Sequence, residues 1–85
     1  MQSSVKYTIR AFIAKEIYAG SDISELKETT PLISGGIMDS ISTIQLVDFL
    51  EKEYNIEFKP HEVDQDNLDT IELIAKCVEQ KMNGK

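Results

Sequence analysis

The chain is poor in the residues that would tie a small fold together by covalent bonds or a metal ion. It has a single cysteine, Cys77, so no internal disulfide is possible and nothing in cysteine usage points to an oxidising compartment. One cysteine and one histidine, His61, cannot build a zinc site. Tryptophan is absent, and two prolines and four glycines in 85 residues exclude collagen-like or low-complexity composition. Long apolar runs are missing as well. The stretch VKYTIRAFIAKEIY is broken by Lys6, Arg10, Lys15 and Glu16, which excludes a signal-peptide core and a membrane span. The expectation is a single domain over residues 1–85, with a small core and a cytoplasmic location.

Positive charge is scarce in the middle of the chain. The net charge is −6, yet residues 1–38 are neutral, and residues 39–72 hold ten carboxylates against Lys52 and Lys59. The acidity begins beside Ser40. A field of this sign repels phosphate backbones and steers basic protein surfaces, which argues against nucleic acid and for basic docking patches, the alternative being a solvated face that only keeps the protein soluble.

Apolar spacing predicts an all-α bundle of three main helices plus one short helix. Val5, Ile9, Phe12, Ile13 and Ile17 form one stripe, giving a helix over about residues 4–19 that Gly20 closes. The loop 20–38 is long, and Leu26, Leu32, Ile33 and Ile37 are expected to pin it onto the core. Asp39 caps a second helix over about residues 40–54, ending where Asn55 allows a turn. Lys59-Pro60 forces extended or turn geometry, a short helical turn follows at about 62–66, and Asp69 with Glu72 resembles a capping box for a last helix over about 70–82. Ile71, Ile74, Ala75, Val78 and Met82 supply that helix's stripe, with Cys77 beside it as a packing residue. Glu16 projects near the first stripe without an evident partner.

Projected at 100° per residue, the second helix turns Leu46, Leu50, Thr43, Tyr54 and Val47 toward the core, with Phe49 flanking. Ile41 and Ile44 fall on the far side, in the sector of Asp48 and Glu51. Either these four make a docking patch, or the preceding loop folds over both isoleucines. Ser40 has two readings too. Asp-Ser at a helix start is ordinary capping chemistry, and it also displays a hydroxyl where backbone N–H groups favour an attached phosphate ester. Autonomous catalysis is not expected: His61 is the sole histidine and no nucleophile-elbow sequence surrounds Ser40.

The stretch LISGGIMDSISTIQLVDFLEKEY, centred on Gly36, Asp39 and Ser40, resembles the signature of phosphopantetheine-dependent acyl carrier proteins. The order of elements is similar over nearly the whole chain. The resemblance implies a non-catalytic monomer in which Ser40 carries 4′-phosphopantetheine, whose thiol holds an acyl group as a thioester for fatty-acid, polyketide or related biosynthesis. It implies further that Asp39 helps a phosphopantetheinyl transferase position magnesium, and that Ile41, Ile44, Asp48 and Glu51 meet basic patches on partner enzymes. Asp48 departs from many fatty-acid carriers, which are apolar there. FKPHEVDQDNLDT and GIMDSISTIQLVDFLEKEYNI are also similar to D-alanyl carrier proteins, so an aminoacyl cargo loaded by an adenylating ligase is the alternative.

Other classes fare worse. Asp64, Asp66 and Asp69 evoke an EF-hand, but Asp69 and Ala75 stand where glycine and glutamate are required, so no metal site is expected. No phosphate-cradling Gly-x-x-x-x-Gly-Lys loop is present. The competitor from another class is a cofactor-free acidic interaction module in which Ser40 only completes a helix start.

Overall fold

The computed structural model describes residues 2–17 and 27–83. Gly20, Leu26 and the end of the expected first helix at residues 18–19 lie outside the described residues, as do Gly84 and Lys85. Among those described, all regular structure is helical: α1 (Gln2–Phe12) continues into a π-helical turn (Ile13–Ile17), followed by α2 (Ser40–Tyr54), a 3₁₀ turn (Pro60–Glu62), α3 (Gln65–Leu68) and α4 (Ile71–Asn83).

The first helix changes type instead of staying α throughout. Val5, Ile9 and Ile13 are buried at four-residue spacing, with Phe12 and Ile17 packed partly against the same core. Over Ile13–Ile17 the turn widens to π. Each residue there advances by less than the α-helical 100°, so Glu16 is carried back from the apolar stripe and is exposed. Its carboxylate therefore needs no buried partner.

Residues Thr43, Leu46, Val47 and Leu50 of α2 are buried, Tyr54 and Phe49 are half-buried, and Phe49 stacks on Phe12 with centroids 4.5 Å apart. Asn55 ends the helix in the left-handed region at φ 55°, a conformation asparagine tolerates, and its amide returns to the Glu51 carbonyl.

The connection to α4 differs from the single turn expected at 62–66. It has two parts. Pro60, with its fixed φ, starts a 3₁₀ turn early, and Asp64 then caps α3 by accepting the Asn67 amide at 3.0 Å. Leu68, fully buried, draws α3 into the core. Glu62 joins the 3₁₀ turn to α4 through Lys81 at 2.6 Å, and the Lys81 ammonium lies 5.0 Å from the Phe58 ring centre.

The expected capping box of α4 does not form. Asp69 closes α3 in the αR region (φ −73°, ψ −23°), whereas an N-cap needs extended backbone to bend its side chain onto the next helix. The Thr70 hydroxyl instead accepts the Leu73 amide at 3.0 Å. From α4, Ile71, Ile74, Ala75 and Val78 enter the core against α1 and α2.

Candidate functional site

The site starts from the Asp39-Ser40 pair. Asp39 is extended (φ −100°, ψ −171°), and its carboxylate accepts the Ser42 amide at 2.8 Å. Its carbonyl accepts the Thr43 amide at 2.9 Å and the Thr43 hydroxyl at 2.7 Å. Capping is thus the work of Asp39. Ser40, the first residue of α2, is exposed, and among the described residues no hydrogen bond engages its hydroxyl. The Ser42 amide holds the Asp39 carboxyl below the usual carboxylate range, so it is ionised at neutral pH. The first amides of α2 have no acceptor within the helix, and they lie beside Ser40 as anion-favouring dipoles.

The turn before the helix is shaped by two glycines. A β-carbon on Gly35 would sit 2.3 Å from the Pro31 carbonyl oxygen, while Gly36 has φ +82° with open space around it. Backbone cannot yield as a side chain does. Gly35→Ala is therefore expected to cost about 1–3 kcal/mol, as overpacking does, and Gly36→Ala about 1–2 kcal/mol from its left-handed backbone alone. Urea unfolding of both variants checks this; equal small losses would contradict the close approach.

Leu32 and Met38 anchor the turn at its two ends. Both are buried, and the Met38 amide donates to the Leu32 carbonyl at 2.8 Å. Ile33 and Ile37 pack partly on the core, as the loop reading expected. The described part of the loop leaves Ile41 and Ile44 68% and 62% exposed, Ile41 directly after Ser40 and Ile44 one turn on. An open groove of about 460 Å³ runs past Ser40, with Ile33, Met38, Ile44 and Val63 among its walls and Asp39 and Asp64 as its carboxylates.

The two acids expected on the docking face diverge. Asp48 is exposed and, among the described residues, pairs with Lys52 at 3.1 Å, one helical turn away. Glu51 turns inward, and its carboxylate accepts the Phe58 amide at 2.8 Å, holding the segment after α2. Glu51, expected beside Asp48 on a docking face, is thus already engaged within the fold. Sequence reading also missed Asp69, whose side chain reaches Ile33 and Ser34 across the fold. Asp69 had an adequate local explanation as a cap, so no signal singled it out.

The remaining chemistry-bearing residues lie apart from Ser40. His61 is exposed in the 3₁₀ turn. Cys77 is half-buried with its thiol 3.7 Å from the Asn67 carbonyl, and burial pushes its pKa up, as for a packing residue. Among the described residues no acid, histidine and cysteine cluster could hold a metal, and no helix is long and apolar enough to cross a membrane.

Residues 8–78 match the family described as "Phosphopantetheine attachment site". The chain belongs to this family of phosphopantetheine-binding carriers. Over 59 residues, 69% of this chain and 73% of the relative, it is 32% identical to D-alanyl carrier proteins of Streptococcus pyogenes serotype M5 (strain Manfredo), serotype M49 (strain NZ131) and serotype M1. The cofactor of the carrier is covalently attached 4′-phosphopantetheine. The residues at the start of α2 fit such a group: an exposed, unengaged hydroxyl, amides that favour a phosphate, and a neighbouring groove with apolar walls. Carriers of this family interact with a phosphopantetheinyl transferase and with loading enzymes.

Proposed function

We propose that Ser40 is the attachment residue and that the chain is a non-catalytic carrier of activated carboxylic acids in the cytoplasm. The observation that carries this reading is the exposed Ser40 hydroxyl, unengaged among the described residues, beside a helix cap supplied by Asp39. When attached, the cofactor supplies a thiol that holds an acyl or aminoacyl group as a thioester. This chain's residues present the arm. Asp39, ionised and exposed, is suited to help a transferase place magnesium, and Ile41, Ile44 and Asp48 form an exposed apolar-acidic face for basic partner surfaces.

The cargo is either an acyl group of fatty-acid or polyketide type or an amino acid. An aminoacyl cargo draws support from the D-alanyl carrier relatives, 32% identical over 59 residues. The test begins with purified apo-protein, coenzyme A, magnesium and a broad-specificity phosphopantetheinyl transferase. Intact mass is expected to rise by one phosphopantetheine per chain. An unchanged mass with a transferase proven on another carrier favours the cofactor-free interaction module. Mass analysis of the thioester trapped from native cells then separates acyl from aminoacyl cargo.

A further inference from the structure

The Asp69 carboxylate is engaged by a segment 35 residues earlier in the chain. Its Oδ1 accepts the amides of Ile33 and Ser34, each at 2.9 Å, and its Oδ2 accepts the Ser34 hydroxyl at 2.8 Å. The Asp69 carbonyl accepts the Leu32 amide at 2.6 Å. One residue at the α3–α4 junction thus holds three consecutive residues of the turn that leads into α2. Charged acceptors make stronger hydrogen bonds than neutral ones, and these are shared among donors that would otherwise face solvent.

From that clamp to Ser40 the path is short. Leu32 accepts the Met38 amide, so the turn closes on itself, and Met38 leads directly into Asp39 and Ser40. Ile33 and Met38 also form walls of the groove beside Ser40. Releasing residues 32–34 would therefore loosen the approach to the helix start while leaving the Asp39 cap itself intact.

We propose that Asp69 is a positioning residue for the modification of Ser40: it presets the Leu32–Met38 turn, and with it the Asp39-Ser40 pair, in the arrangement a phosphopantetheinyl transferase reads. The proposal rests on Ser40 being the attachment residue. If only the clamped turn is competent, opening it lowers the competent fraction and raises the apparent KM by the same factor, with little change in kcat. Asp69→Ala removes all three side-chain hydrogen bonds. Asp69→Asn keeps one acceptor oxygen without the charge, and Ser34→Ala removes the hydroxyl bond alone.

The experiment measures steady-state transfer from coenzyme A to each apo-protein, together with amide hydrogen exchange, at a temperature where circular dichroism shows every variant folded. Val78→Ala, a core truncation in α4 away from the clamp, serves as the stability control. Asp69→Ala is expected to raise KM at least tenfold and to speed exchange at Ile33, Ser34 and Met38. Asp69→Asn should raise it less and Ser34→Ala least, while Val78→Ala leaves KM unchanged. An unaltered KM in Asp69→Ala, or an equal rise in Val78→Ala, overturns the proposal. Should Asp69→Ala fail to fold, Asp69→Asn decides: wild-type KM and wild-type exchange at Ile33 and Ser34 overturn it. A wild-type chain that accepts no phosphopantetheine removes the Ser40 reading and this one together, whereas normal wild-type modification with no Asp69 effect removes this one alone.

Discussion

Replacing Ser40 with alanine is expected to abolish phosphopantetheine transfer completely while leaving the fold intact. The chemical half of this expectation follows from the proposed attachment: the phosphodiester would form through the Ser40 oxygen, which alanine lacks. The structural half follows from the division of labour at the helix start. Asp39 supplies the carboxylate for the Ser42 amide and the carbonyl for Thr43, and Ser40 contributes no side-chain hydrogen bond among the described residues. Alanine is also a good helix former. The unfolding free energy should therefore stay within about 0.5 kcal/mol of wild type, as for an uninvolved surface position. Intact mass after incubation with coenzyme A and a transferase reads the first part, and urea unfolding reads the second. Residual modification of Ser40→Ala would point to Ser34, Ser42 or Thr43, hydroxyls at or before the helix start, and would end the Ser40 assignment.

The second large effect contrasts two residues of α2. Leu46→Ala should destabilise the fold by about 2–5 kcal/mol, the range for emptying a buried leucine site. Leu46 is fully buried, whereas Ile44 is 62% exposed. Ile44→Ala should therefore change stability by less than about 0.5 kcal/mol. At about 0.05–0.15 kcal/mol per residue a chain of this size holds only some 4–13 kcal/mol, so the Leu46 loss removes a large share. Urea midpoints read the difference, with an unchanged m-value confirming that the unfolding reaction is the same. Comparable destabilisation in both variants would mean that α2 faces the core with a different side. The same Ile44→Ala protein is the one to use against partner enzymes, since any loss of transfer in it cannot come from unfolding.

Which face of α2 is buried was readable without coordinates because it depends on local spacing alone. Thr43, Leu46, Val47 and Leu50 lie within one arc of a regular helix, and no tertiary contact was needed to place them. Asp39 was readable for a similar reason, since the cap bonds to amides only three and four residues away. Glu51 shows where this kind of reasoning stops. Projection put it with the solvent-facing residues, but its side chain is long enough to turn back to the Phe58 amide once the chain after Asn55 reverses direction.

The chain's own residues determined the helical pattern, the hydroxyl at the start of α2 and the acidic setting around it, since each follows from neighbours within one or two turns. Tertiary structure alone decided the use of Asp69 and Glu51, whose carboxylates bond amides outside their own helical turns. Asp69 satisfies a local rule for helix starts as well as it satisfies the distant amides of Ile33 and Ser34. Hydrogen-bond donors compete for one carboxylate on the basis of position in space, and position across more than thirty residues is set only when the core has packed.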